Sequence, residues 1–195
     1  MLGACSNCST FANARPIQNT SMSIKENRPL ILRSNRFLGS ALVERALITN
    51  ESLEAANEKL LDIIQSGNLK GASLLNILLY DLGVLNENEL IDKIVEEYRL
   101  GMIDLTSYDL NSLREIELDL DLCWVTFTVP FDRIENFVKI ATAYYLSKPA
   151  RAFWEEQFAG SQIIWYVSSL ASIAGALDRF VGELNVEASE GKPES

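Results

Sequence analysis

Leu38, Leu42, Val43, Leu47, Ile48 and Leu53 superpose on Leu75, Leu79, Tyr80, Val84, Leu85 and Leu90 at a constant shift of 37 residues. An internal duplication of this length constrains the fold strongly. Each copy is a supersecondary unit too small to bury its own apolar face, so the two must pack together. Helix starts recur within the copies. Thr49 precedes the apolar positions Leu53, Ala56, Leu60 and Ile64, and Asn86 with Glu89 forms a capping box before Leu90, Ile94 and Val95. Gly39 and Gly83 fall near helix ends, and Gly67 and Gly71 bracket the connection between the copies. Each repeat therefore reads as a short helix, a tight turn and a longer helix. Paired helices of this kind serve more often as docking or sensing modules than as catalysts.

The expected fold class is α+β. A duplicated helical subdomain over 36–105 is followed by a small α/β subdomain over 106–182. Trp124–Val129, Phe137–Ala143 and Ile163–Val167 are rich in β-branched and aromatic residues and read as strands. Ser147 can cap a helix that opens with Lys148 and Pro149 and stops at Gly160. Ser168 or Ser169 can cap a last helix burying Leu170, Ile173, Ala174, Leu177 and Phe180. The resulting order, β-β-α-β-α, predicts a layer of sheet and helix. Phe153, Trp154, Phe158, Trp165 and Tyr166 are expected in the core. Residues 1–35 read as a disordered or extended tail, with Met22 a second candidate start, and 183–195 as an acidic disordered tail.

Charge narrows the function classes. Net charge is −10, yet the first 36 residues hold Arg15, Lys25, Arg28, Arg33 and Arg36 against Glu26 alone. That segment is +4 and the remainder −14. A body of this sign repels a phosphate backbone, so no nucleic-acid partner is expected. The basic segment reads as a solvated tail, with an anion or a partner's acidic face as the alternative. No apolar run reaches the roughly 18–20 residues of a membrane span. The longest, Ile163–Leu177, is broken by Ser168, Ser169 and Ser172.

Little points to chemistry. Cys5 and Cys8 form a C-x-x-C, but a zinc site needs further ligands and the chain has no histidine, so no metal is expected. Leu2–Cys5 looks like a lipoprotein cleavage box without a preceding signal region. Cys123 reads as a small buried side chain, and no disulfide framework is implied, consistent with a reducing, cytoplasmic setting. Glu115, Glu117, Asp119 and Asp121 alternate with Ile116, Leu118, Leu120 and Leu122. A strand there lines up four carboxylates, which suits either a hard cation or simply a solvated face, and the latter is the expectation. General acid–base work without histidine falls to carboxylates, lysine or tyrosine. No serine or cysteine has a visible activating base, so no enzyme is expected.

Leu38-Gly39, Leu42-Val43, Leu47-Ile48-Thr49 and Leu53, repeated as Leu82-Gly83-Val84-Leu85-Asn86 through Leu90 and followed by Tyr98-Arg99-Leu100 and Ile103-Asp104-Leu105, carry a resemblance. Over about 35–180 the chain resembles the N-terminal domain of the type II secretion and type IV pilus assembly ATPases, the GspE N-terminal or MshEN-like domain of bacteria. In that family a motor with a Gly-x-x-x-x-Gly-Lys-Ser/Thr phosphate loop follows, often with a four-cysteine zinc site. This sequence has neither, and Gly191-Lys192-Pro193 cannot replace the loop.

Some family members bind cyclic di-GMP through an Arg-Leu-Gly opening and a closing glutamine in each repeat. Here the first copy has Phe37, Leu38 and Gly39, with Ala46 for a glycine and Leu60 for the glutamine. The second has Leu74, Leu75 and Asn76, keeps Gly83, and closes on Glu97. Two arginines and two glutamines are missing, and each lost charged contact costs about 1.5–3 kcal/mol. The resemblance thus implies no cofactor and a regulatory, protein-interaction module that docks on a membrane-platform protein or another ATPase of a secretion or pilus apparatus, peripheral to the membrane. The alternative is an altered cyclic di-GMP-sensing site around Arg36, Leu38, Gly39, Leu42 and Val43, in which Arg36, one position early, stands in for a lost arginine.

Overall fold

The computed structural model describes residues 24–67, 72–109, 116 and 119–190. The duplicated block consists of α1 (Ile24–Glu44), α2 (Asn50–Gln65), α3 (Leu74–Asn76) running on as a π-helical turn (Ile77–Asp81), and α4 (Glu87–Tyr98). Its capping follows the sequence. Thr49 Oγ1 accepts from Ser52 N at 3.2 Å, and Asn86 Oδ1 from Asn88 N and Glu89 N at 3.0 and 3.3 Å. Thr49 and Asn86 are one repeat apart, as are Ser52 and Glu89. Each cap satisfies backbone donors that a helix start leaves open.

The tail expected over 1–35 is corrected where it is described. Helix α1 is 21 residues long and already begins at Ile24, and Ile31, Ser34 and Asn35 are buried. Charge and polar composition suggested solvent, but every third or fourth residue here faces the core, and that period decides the structure. Similarly α7 (Leu170–Glu190) continues through half of the expected C-terminal tail. Its N-cap is Ser169, whose Oγ accepts from Ser172 N at 3.1 Å.

Downstream, β1 (Gly101–Met102), α5 (Leu120–Thr126), β2 (Thr128–Ile134), β3 (Phe137–Thr142), α6 (Lys148–Gln157) and β4 (Gln162–Val167) precede α7. From β2 onward the order is the expected β-β-α-β-α. The molecule is α+β, with a four-stranded sheet in the order β1-β4-β3-β2. Strand β4 lies parallel to both neighbours, and β2 runs antiparallel to β3, with Thr128 opposite Thr142 and a bulge between Pro130 and Asp132. One boundary differs from expectation by several residues. Residues 124–126 are helical, and the strand starts at Thr128. Asp119 caps that helix, and Leu122, Cys123, Trp124, Val125 and Thr126 are all buried, so tertiary packing overrides their strand propensity. The same cap ends the alternating acid–apolar strand expected over 115–122; Glu115, Glu117 and Leu118 lie outside the described residues, as do Cys5 and Cys8. Of the expected aromatic core, Trp154 is fully buried, while Phe153, Phe158, Trp165 and Tyr166 pack half-buried against it.

Helix α1 joins the two blocks. It packs on α2 and α3 and more extensively on α5 and α6. The joint is a buried polar network. Asn35 Oδ1 accepts from Leu74 N at 2.9 Å and from Tyr144 Oη at 2.8 Å, and Asn35 Nδ2 donates to Ile31 O at 2.9 Å. Ser73 Oγ lies 3.0 Å from Tyr144 Oη, and Ser147 Oγ donates to Ser34 O at 2.9 Å. Burial pushes the Tyr144 phenol up to about 12, so it remains a neutral donor across the physiological range. The repeat's exit is pinned too: Ser172 Oγ accepts from Leu105 N at 2.7 Å and donates to Asp104 Oδ1 at 3.0 Å, while Arg179 donates to Leu105 O. The α/β block is therefore closed against the helices.

Candidate functional site

The five residues expected around an altered nucleotide site all lie on α1, with Arg36 on its exposed side and Leu38, Gly39 and Leu42 on its buried side. Leu38 and Leu42 are 1% and 0% exposed. Gly39 is buried where α1 meets α2 and α3, and a Cβ there would stand 2.5 Å from Leu53 Cδ1 and 3.1 Å from Leu74 Cδ2. Its glycine is thus explained by helix packing. Val43 is half-buried, and Arg36 is exposed without a side-chain partner among the described residues.

The turns of the two repeats make a different site. In the first, Leu47 N donates to Leu42 O at 3.0 Å around Ala46, which adopts φ +56°, the left-handed conformation glycine favours. One repeat later Gly83 has φ +61°. Between these turns lies an open groove of about 540 Å³, lined by Leu47, Leu79, Tyr80, Gly83, Val84, Leu85, Asn86, Glu87 and Glu89. Tyr80 is 61% exposed and Val84 42%. Glu87 is occupied elsewhere, its Oε1 accepting from Leu170 N at 2.6 Å, which ties α4 to the start of α7. The exposed Glu89 carboxylate on the rim has no partner among the described residues. None of Arg36, Leu38, Gly39, Leu42 or Val43 lines the groove.

A clamp connects the repeats. Arg45 Nε and Nη2 donate to the two oxygens of Glu97 at 2.9 and 2.7 Å, Nη2 also to Tyr98 Oη at 2.7 Å, and Nη1 to Ala41 O at 3.1 Å. This bidentate pair holds the Glu97 carboxyl below the usual carboxylate range and raises the already basic Arg45 further. Glu97 is the residue at the glutamine-like closing position. Its carboxylate is paired with Arg45 while its side chain remains exposed. Beyond it, Tyr98 meets Tyr145 edge-on at 5.0 Å, Tyr145 meets Trp165 at 6.0 Å, and the Arg151 guanidinium sits 4.5 Å from the Tyr145 ring centre.

Sequence reasoning missed Arg45, Tyr80, Val84 and Tyr98. The duplication held a signal for them: Arg45 pairs with Leu82 and Glu97 with Leu60 across the repeat, so the copies diverge at the two residues that form the clamp. Cys123, by contrast, is what the sequence suggested. It is fully buried, and burial pushes its thiol up, away from reactivity.

Fold and site together define a duplicated helix–turn–helix pair closed against a helix-covered mixed sheet, with an open groove of mixed polar and apolar lining at the paired turns. Among solved structures the chain is similar to that of MshE with cdg, at 20% identity over 73% of this chain and 97% of that one, TM-score 0.46. It is also similar to the N-terminal domain of XpsE in two crystal forms, at 15% and 19% identity over 75% and 72% of this chain and 94% and 91% of those, TM-scores 0.44 and 0.42. No family model and no curated protein matches the sequence. Among the described residues no helix is long and apolar enough to cross a membrane.

Proposed function

We propose that this chain is a non-catalytic docking module that resembles the N-terminal domain of secretion and pilus assembly ATPases and engages a protein of such an apparatus through the groove between its repeat turns. One observation carries the reading. The turns form an open, solvent-facing groove in which Tyr80 and Val84 stand exposed beside the polar Asn86 and Glu89, while Glu97, at the position where a ligand-reading glutamine would stand, is committed to Arg45. Exposed aromatic and β-branched side chains over a concave surface are suited to a protein contact, in which a few large residues supply most of the affinity.

The reading is tested by biolayer interferometry of the full chain against the cytoplasmic domain of the platform protein from the same apparatus. Tyr80→Ala with Val84→Asp is expected to weaken capture at least about tenfold, since two central contacts of 1–2 kcal/mol each are lost. Equal capture by wild type and variant would overturn the groove assignment. Absence of capture by the wild type would overturn the docking role with that component.

A further inference from the structure

Two oppositely charged helix ridges face solvent on this molecule, and among the described residues neither finds an ionic partner. On α1 the inner stripe is Ile31, Asn35, Leu38 and Leu42, all buried. The outer face presents Arg28, Leu32 and Arg36 at i, i+4 and i+8, flanked by Arg33 and Phe37, all exposed. Leu32 is 36% and Phe37 44% exposed. The bond from Ser147 to Ser34 brings the start of α6, with exposed Lys148, beside this stripe. Among the described residues none of these four cations makes a side-chain hydrogen bond or ion pair.

Helix α2 mirrors this arrangement with the signs reversed. Its inner stripe is Ala56, Leu60 and Ile64, and its outer ridge is Glu54, Glu58 and Asp62, again at i, i+4 and i+8, beside Leu61 at 45% exposure. These three carboxylates likewise have no partner among the described residues. Two ridges of spacing four, each spanning about 12 Å at 1.5 Å per residue, interdigitate in the commonest mode of helix packing.

We infer that copies of this chain self-associate, the basic outer ridge of α1 in one copy lying on the acidic outer ridge of α2 in the next, with Leu32 and Phe37 meeting Leu61 in the apolar centre of the contact. A net charge of −10 does not prevent this, because repulsion between the bodies is screened beyond about 8 Å at physiological salt whereas facing charges in contact are not. None of these residues lines the groove between the turns, so self-association and docking stand or fall separately.

The test is sedimentation velocity of the full chain from about 10 μM to about 1 mM in low and high salt. The wild type is expected to exceed its monomer mass of 21.8 kDa as concentration rises, with the apparent dissociation constant increasing at least about tenfold between 50 and 500 mM NaCl. Arg28→Glu with Arg36→Glu, and separately Glu54→Arg with Glu58→Arg, should each sediment as monomers with unchanged circular dichroism. An equimolar mixture of the two should associate again, because each variant then presents a ridge that the other complements. A wild type that stays monomeric throughout would overturn the inference. So would a mixture that fails to associate, or charge-reversed variants that associate as the wild type does.

Discussion

The first repeat places a fully buried Leu38, a left-handed Ala46 and a buried Leu60 where the second places Leu75, a left-handed Gly83 and a solvent-facing Glu97. The apolar scaffold is common to both; the turn and the closing position are not. Burial explains the division. Positions such as Leu38 and Leu75 are enclosed on every side, so any change leaves a cavity. Turn and rim positions face solvent and are free to acquire new partners, as Glu97 has acquired Arg45. The two copies therefore share a buried frame and differ at the residues that face solvent.

Truncating the shared frame should give the largest effects. Leu38→Ala and Leu75→Ala are each expected to cost about 3 kcal/mol, read from urea unfolding midpoints, because both side chains are fully enclosed. A much smaller cost at one of them would break the equivalence of the copies. Asn35→Ala removes the acceptor for Leu74 N and Tyr144 Oη and should cost about 2–3 kcal/mol, lowering the stability of both blocks together. Two separate unfolding transitions in the wild type would contradict a single closed unit.

The turns give smaller, opposite effects. Ala46→Gly should stabilise by about 1 kcal/mol, since a residue with a Cβ is strained at φ +56°, and Gly83→Ala should destabilise by a similar amount at φ +61°. Differential scanning calorimetry would register these as shifts in Tm of opposite sign. The smallest effect belongs to the clamp. The Glu97 carboxyl is depressed by Arg45, so its contribution is present above the unfolded glutamate range and is lost as pH falls through the lower folded value. Glu97→Gln should therefore narrow its stability gap from the wild type on acidification below about pH 4. A gap independent of pH would remove the electrostatic part of the clamp.

Much of this architecture was legible because it is periodic. The repeat shift, the caps at Thr49 and Asn86, the β3 and β4 strands and the β-β-α-β-α order all follow from spacing and turn chemistry. Residues 24–35 were obscured because three of the buried positions that decide the helix, Asn27, Ser34 and Asn35, are polar and leave Ile31 as the one apolar member of the stripe. Helix α5 was obscured because Trp124, Val125 and Thr126 favour strands until burial on all sides is taken into account. The site was harder. Leu38, Gly39 and Leu42 stood out by pattern, yet their pattern is that of helix packing. Arg45 had no pattern of its own and Tyr98 stood out only as part of the repeat's exit, since the clamp exists only once residues 52 or 53 apart in the chain are brought together by folding.

The measurement that bears most directly on the proposed reading, a helical frame whose turns read no nucleotide, is isothermal titration calorimetry of the full chain with cyclic di-GMP, with Arg36→Ala alongside. No saturable heat at high protein concentration is the predicted result. Saturable heat in the wild type that disappears in Arg36→Ala would contradict the account and make the first helix part of a rebuilt nucleotide site.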